Sequence, residues 1–457
     1  MTEQRLEKLQ RFTNTGLYPR LLLAEADPLA FLAGLMAACL SDCSLFIGNP
    51  GWRRSEWQQA LSLIQPELIW QGGNAPSADI PHAAATREDQ GGWLMIPTGG
   101  SAGKIRFTIH TWATLKAAVQ GCQDHFFSEI SAKAGSKRAI NSCCLLPLYH
   151  VSGLMQFMRS LITGGQFLLL PKEALATGIS EDQAIGAFLS TESLQPQSYF
   201  LSLVPTQLQR LLQAGKSIGV TISDRISWLA QFRAILLGGA PPWPALLHEA
   251  QQHQLPLALT YGMTETAAQV ATLKPDQFLQ GDHSNGRALP HAKISIRGDG
   301  AQSLAANQIG QVVVEGASVC LGYYPQPFAQ PGVLETEDLG YMDEQGNLWI
   351  AGRSSRTIFT GGETVFPEEI EAALLATGHV TDVYVFGQAD QEWGEQIVAL
   401  LVPVSPAVTP ALLKATLKDH LSPLKHPKQW IFLPQLPRTP QGKVSQPLVQ
   451  QALGSDL

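Results

Sequence analysis

The chain is poor in the features that would make it a scaffold, a membrane protein or a nucleic-acid binder. Its six cysteines (Cys39, Cys43, Cys122, Cys143, Cys144 and Cys320) form no C-x-x-C pair and no zinc spacing. That excludes a zinc ribbon or a disulfide framework and predicts reduced thiols, as in a cytosol. Basic clusters are missing too. Lys133, Lys137 and Arg138 are too few to make an arm, and a net charge of −7 with a pI near 5.9 excludes nucleic acid as an expected partner. The longest uncharged apolar run, Leu29 to Leu40, stops at Ser41-Asp42 and is too short to cross a bilayer. The polar, helical start Met1–Arg5 has no apolar signal core behind it. A soluble, cytoplasmic protein with no membrane insertion is expected. No internal repeat or low-complexity segment is visible. Hydrophobic residues at 45% and charged ones at 15% describe a globular enzyme, and 457 residues allow two or three domains, each with its own core.

The most informative stretch runs from Pro97 to Arg106. It packs Gly99, Gly100 and Gly103, the hydroxyls of Thr98 and Ser101, and the cations Lys104 and Arg106 into ten residues. Consecutive amides without a Cβ in the way make a concave phosphate cradle, to which Lys104 or Arg106 adds charge. The flanking runs Trp93–Ile96 and Ile105–Ile109 have strand patterns, so the order is strand, Gly-rich loop, strand. A Walker A loop fails here, because only three residues lie between Gly99 and Gly103, where it needs four, and Ile105 follows Lys104. The G-x-S-x-G match at Gly99–Gly103, with Ser101 as the nucleophile of a hydrolase, needs a helix directly behind it rather than a β-patterned run.

Residues 1–90 contain three helical patterns, Glu3–Phe12, Asp27–Leu40 and Ser55–Ile64, and a polar loop, Gly72–Gly92, leads into the Gly-rich stretch. Beyond it, the apolar runs Ser142–Leu148, Gln166–Leu170, Tyr199–Val204, Ala234–Leu237 and Pro256–Thr260 alternate with helical patterns at Leu154–Thr163, Gln183–Leu189 and Thr206–Gln213. That alternation predicts a largely parallel sheet covered by helices. After Gly281 short β runs (Ala292–Arg297, Gln311–Glu315, Leu348–Ala351) predict a small barrel or distorted sheet. A boundary near Gly352–Arg356 separates an N-terminal domain, 1–352, from a small α+β C-terminal domain, 353–457. In the latter a helix begins at Pro367 with Glu368-Glu369 in its first turn, as the helix dipole favours.

Five further stretches carry chemistry. Tyr261-Gly262-Met263-Thr264-Glu265-Thr266 follows an apolar strand, where open α/β sheets bind ligands. Glu265 could hold Mg²⁺ on a phosphate and Thr264 could donate to a phosphate oxygen, or the six residues could be a capping turn. Asp338, in Thr336–Tyr341, offers an acceptor for a ribose diol or is a turn acid. Gly352-Arg353 lies at the domain boundary. Pro437–Lys443 is a Pro/Gly-pinned loop ending in a lysine. Arg159 interrupts the apolar helical run Leu154–Ile162 just after His150. A buried arginine without an anion is costly, so it is a substrate counterion or half of an internal salt bridge.

In order, these motifs (Gly-rich loop, Tyr-Gly-Met-Thr-Glu, Thr-x-Asp-x-Gly, Gly-Arg, Gly-Gly-Glu, Gly-Lys) resemble the adenylate-forming, AMP-binding superfamily of acyl-CoA synthetases, adenylation domains and luciferases. The resemblance covers nearly the whole chain. Pro147–Leu154, Val204–Leu208, Leu237–Pro241 and Met263–Gln269 look like its o-succinylbenzoate–CoA ligase branch, in menaquinone and phylloquinone biosynthesis. Three departures stand out: Ile105 replaces a proline, Arg106 stands where a lysine is usual, and Ser355 occupies a hinge position often held by Asp or Lys. Arginine is at least an equal phosphate partner.

The resemblance implies an α/β fold, with a large N-terminal domain of helix-covered mixed sheets plus a distorted β-barrel and a small mobile C-terminal domain. It implies an acid–thiol ligase using ATP, Mg²⁺ and coenzyme A, and leaves room for a homodimer. Thr98, Gly99, Gly100, Ser101, Gly103 and Lys104 or Arg106 would hold the β- and γ-phosphates, Glu265 the metal, and Thr264 the α-phosphate. Asp338 and Arg353 would hold the ribose, and Gly238, Gly239, Ala240, Tyr261 and Gly262 the adenine pocket. Lys443 would bridge carboxylate and α-phosphate, then withdraw as the C-terminal domain turns its Gly361-Gly362-Glu363 face toward CoA. For the acid, Arg159 would face the aromatic carboxylate, His150 would gate the pocket, and Ser152, Gln207 and Gln269 are further candidates. Alternatives are a ligase for a different acid, or a serine hydrolase built on Ser101.

Overall fold

The computed structural model describes residues 1–13, 18–41, 43–72, 92–99, 105–127, 139–169, 196–212, 221–361, 363–391, 393–418, 420–437, 444 and 449. Gly100, Ser101, Gly103, Lys104, Gly362, Lys443 and the helical pattern Gln183–Leu189 lie outside them.

Among the described residues four sheets carry the chain. In the first, the strand order is Gln326–Pro327, Gly322–Tyr323, Ile105–Thr111, Trp93–Gly99, Ser44–Ile47, Arg20–Ala24, Leu68–Gln71. The last four run parallel, whereas Trp93–Gly99 and Ile105–Thr111 pair antiparallel, with Gly99 opposite Ile105. The predicted strand–loop–strand is therefore a hairpin, and the chain after the glycines enters a strand, which removes the nucleophile-elbow geometry. The three helical patterns of the first ninety residues are helices (Thr2–Thr13, Pro28–Cys39, Arg54–Ile64). Asp27 caps the second by accepting from the Ala30 amide at 2.8 Å, and Pro28 stands where no amide is needed. The interleaved strands Arg20–Ala24, Ser44–Ile47 and Leu68–Gln71 were not read from sequence. They are short, and the first two are almost wholly buried, so they show no alternation that a period-two reading could detect.

The second sheet is the expected helix-covered one. Phe167–Leu169, Asn141–Cys144, Tyr199–Leu203, Ala234–Leu237 and Leu257–Met263 run parallel, and Ala268–Thr272 and Arg287–Ala288 complete it antiparallel. Its core is leucine-rich and includes Leu201, Leu203, Ile235, Leu237, Leu257 and Leu259. The expected strand Ser142–Leu148 ends at Cys144, where the chain leaves the sheet. The third sheet (Ala292–Arg297, Gly310–Gly316, Val333–Met342, Leu348–Arg353) is antiparallel and distorted by two register shifts.

The chain then passes through a short turn, Ser354–Arg356, into a sheet whose two longest strands are Val380–Asp390 and Gly394–Pro403, with its own apolar core around Ile370, Val385, Ile397 and Leu413. Arg356 belongs to this last unit. Its guanidinium reaches Glu368 at 2.9 Å and Glu371 at 2.5 Å, donates to the Val385 carbonyl at 3.1 Å and lies over the Tyr384 ring. Burial opposes its charge, but Glu371 and Glu368 outweigh burial and hold the guanidinium firmly protonated. The helix Pro367–Ala376 also lays Ala372 and Leu375 against the core of the second sheet. Among the described residues no helix is long and apolar enough to cross a membrane.

Candidate active site

One cleft of about 2780 Å³ collects residues from all four sheets. A single small-molecule pocket is usually under about 1,000 Å³, so this space is large enough for more than one small molecule. Its floor is the carboxyl end of the parallel strands. The chain segments leaving Cys144, Leu203, Leu237 and Met263 all line it, which is where an open α/β sheet binds ligands.

The wall expected to take the nucleotide is already bonded. Tyr261, 8% exposed, donates its hydroxyl to Asp338 Oδ2 at 2.8 Å. Arg353 Nε meets Asp338 Oδ1 at 2.8 Å, and the Thr336 hydroxyl accepts from the Asp338 amide at 3.1 Å. Burial, reinforced by Asp338, pushes the Tyr261 phenol well above its ordinary range, so it stays a donor. Each carboxylate oxygen of Asp338 keeps a lone pair, enough to accept a ribose diol. Gly238, Gly239 and Ala240 line the cleft beside Tyr261. Gly262 has a steric reason: a Cβ there would lie 2.0 Å from the Ala268 carbonyl oxygen, at the bulge where the two strands shift register.

The turn after Met263 holds Thr264 and Glu265, both on the cleft. His110, fully buried, binds the Thr264 carbonyl through Nε2 at 2.8 Å. Burial lowers its pKa to about 4 despite that bond, so it is a neutral strut. Tyr323 donates to Glu265 Oε1 at 2.9 Å and lies under Arg106, whose Cζ is 4.4 Å from the ring centroid. Glu265 is 8% exposed, and no described residue bonds its Oε2. A hard carboxylate oxygen with its partner atom already satisfied fits Mg²⁺ carried on nucleotide phosphates. Thr98 and Arg106 face the same space from the Gly-rich hairpin.

The floor expected to take the acid is built differently. Arg159, 5% exposed, donates from Nη2 to Gln269 Oε1 at 2.7 Å, and its buried Nε has no partner. No acidic side chain among the described residues pairs with it, so the internal salt bridge expected as the alternative is absent there. Gln269 is fixed in turn by donating to Thr272 Oγ1 at 3.1 Å. Both Arg159 and Gln269 line the cleft, with His150, Ser152 and Gln207. His150 caps the helix Val151–Thr163 and packs on Tyr149. Gln207 turns its Oε1 to the Val204 amide at 3.1 Å. Behind Arg159, the His291 ring presses on Gly121 so closely that a Cβ there would meet Nδ1 at 1.7 Å.

Gly361 does not line the cleft. It caps the strand Ile358–Thr360 in a left-handed conformation (φ 58°), donates to the Trp393 carbonyl and packs on the Trp393 ring. Its expected meeting with CoA belongs to the rotated arrangement of the C-terminal domain, not to this one. Sequence reasoning missed Tyr323, His110 and Thr336. Only Thr336 had a local signal, two residues before Asp338, while the other two act across long sequence separations.

The AMP-binding enzyme family model matches residues 52–324, and the AMP-binding enzyme C-terminal domain model matches 369–443. The chain belongs to the AMP-binding enzyme family. Among relatives, the 2-succinylbenzoate–CoA ligase of Listeria monocytogenes is 30% identical over 434 residues, which is 93% of this chain and 86% of that protein. Two structures of o-succinylbenzoate CoA synthetase from Bacillus subtilis share the fold at 23% identity and cover 91% of that chain. The complex with the acyl-adenylate intermediate has a TM-score of 0.79 over 98% of this chain, and the complex with ATP and magnesium ion has 0.76 over 97%.

Proposed function

We propose that the chain is an AMP-forming acid–thiol ligase that converts 2-succinylbenzoate and CoA to 2-succinylbenzoyl-CoA, with the thioester on the succinyl arm, in the cytoplasm, where ATP and CoA are at hand. The observation that carries this reading is Arg159. A buried guanidinium held by an amide, with no carboxylate opposite among the described residues, on the floor of a large cleft calls for an anionic substrate. 2-Succinylbenzoate carries two carboxylates: one to activate, the other to meet Arg159.

A carboxylate is a poor acylating group until one oxygen becomes part of a good leaving group. In the first step the succinyl carboxylate attacks the α-phosphorus, the α–β bridge breaks and pyrophosphate leaves. Two anions must approach, so positive charge has to offset both. Bound magnesium would neutralise phosphate charge next to Glu265. Arg106 and Lys104 would take the outer phosphates, Thr264 the α-phosphate, and the Tyr261–Asp338–Arg353 set the ribose. Lys443 would bridge the attacking oxygen and the α-phosphate. In the second step the CoA sulfur attacks the acyl carbon, loses its proton, and AMP leaves.

Presenting Gly361-Gly362-Glu363 to the cleft requires the C-terminal domain to move as a unit. Arg356 is bonded within the C-terminal sheet, whereas Ser354 Oγ and Ser355 Oγ donate to Glu337 of the large domain at 3.0 and 3.1 Å. The pivot therefore falls at Arg353–Ser355, and the Glu337 contacts break on rotation.

The test is AMP release with Mg·ATP, CoA and a panel of acids. Turnover confined to 2-succinylbenzoate is expected; ATP-dependent turnover with another acid would overturn the acyl assignment, and no ATP consumption would overturn the chemistry. Lys443→Ala should abolish adenylation and leave thioester formation from supplied acyl-adenylate largely intact. Equal loss in both steps would sink that role.

A further inference from the structure

Tyr323 touches two of the chemical stretches and belongs to neither. The strand Gly322–Tyr323 lies antiparallel to Ile105–Thr111 with Tyr323 opposite Thr108, and the Leu321 and Tyr324 amides donate to the Ile109 and Phe107 carbonyls, each at 2.8 Å. This backbone lacing delivers the phenol to Glu265 Oε1 and the ring face to Arg106. The Cys320 amide adds a bond to the Glu265 carbonyl oxygen at 2.7 Å. Arg106 and Glu265 form no ion pair with each other. Had they done so, the phosphate cation and the metal carboxylate would neutralise one another and neither would be free for a ligand. A phenol between them satisfies both: its hydroxyl occupies one carboxylate oxygen, and its π-face holds the guanidinium while leaving the N–H edge open.

We propose that Tyr323 is a positioning residue for the magnesium nucleotide, which orients Glu265 with Oε2 toward the metal and keeps Arg106 from collapsing onto that carboxylate. This rests on the reading of the cleft as an ATP site and adds to it a residue that ties the Gly-rich hairpin to the Thr264-Glu265 turn.

The experiment is calorimetric binding of AMP without metal, and of ATP with and without Mg²⁺. Tyr323→Phe keeps the ring, its edge packing on Phe328 and its hold on Arg106. It should lose about tenfold of the affinity that Mg²⁺ adds to ATP, the usual scale for removing an outer-sphere partner of a metal ligand. Its AMP affinity should stay unchanged. Tyr323→Leu frees Arg106 to pair with Glu265, so metal-free ATP binding should weaken as well, and its melting curve shows whether it is folded. A Tyr323→Phe chain with the full magnesium gain would overturn the proposal. Equal weakening of AMP and Mg·ATP would do so too, because it would mark a merely structural tyrosine. An unaltered chain that binds neither nucleotide would overturn the ATP reading itself.

Discussion

The two ends of the cleft treat charge in opposite ways. At the Asp338 wall, the buried carboxylate is satisfied by Tyr261 and Arg353 before any ligand arrives. At the acyl floor the buried guanidinium of Arg159 has a neutral amide and an idle Nε. A charge compensated from within stabilises the fold and is present whichever substrate comes. A charge left uncompensated costs stability and recovers it when an anion binds. The Asp338 end is therefore preformed, and under the proposed function selectivity for the acid is concentrated at Arg159, where the fold is least satisfied.

Replacing Arg159 is the strongest way to break that contrast. Arg159→Met should lower kcat/KM for 2-succinylbenzoate by roughly a hundred- to a thousandfold, the range seen when one member of a buried charge pair is removed. The KM for ATP should barely change, and the melting temperature should hold or rise, since an uncompensated charge has been exchanged for an apolar chain of similar length. A clear fall in melting temperature would show that Arg159 is structural. Asp338→Asn is the matched experiment at the other end. It should raise the KM for ATP by about ten- to a hundredfold, the scale of hydrogen bonds to a charged group, and leave the acid KM near its starting value. Its melting temperature should fall, because Arg353 loses its partner and Tyr261 its charged acceptor. The same sign of stability change in both variants would erase the distinction.

This contrast explains what the sequence could reveal. The phosphate hairpin, Tyr261, Glu265, Asp338 and Arg353 were legible because each lies in a short run with unusual composition, and Arg159 because it interrupts an apolar helix face. The parallel sheet was legible from strand–helix alternation, whereas Arg20–Ala24 and Ser44–Ile47 were hidden by being apolar on both faces. Tyr323 and His110 were illegible for another reason. Each does its work through a partner far along the chain, Glu265 for one and the Thr264 carbonyl for the other, and nothing in Gly322-Tyr323-Tyr324-Pro325 or Thr108-Ile109-His110 announces that pairing.

The smallest effect expected is in acid, and it also falls on the Arg159 side. His291 lies behind the acyl floor with both ring nitrogens buried and unpartnered; burial, then Arg159, lowers its pKa to about 4. Unfolded, it would titrate near its ordinary value of about 6.5. Between those two pH values the unfolded chain binds a proton that the folded chain refuses, so stability falls as pH drops through the window and is flat above it. One such histidine contributes a slope of up to about 1.4 kcal/mol per pH unit. His110 is lowered to about 4 as well and adds in the same sense. His291→Gln should remove close to one proton from the uptake on unfolding between pH 4.5 and 6, measured from the pH dependence of the unfolding free energy. In the folded state His291 stays neutral across that range, so the KM for the acid should not follow the same curve. If acid affinity and stability declined together with a shared midpoint near pH 6, His291 would be charging beside Arg159 in the folded protein, and the acyl floor would be less sealed than its geometry indicates.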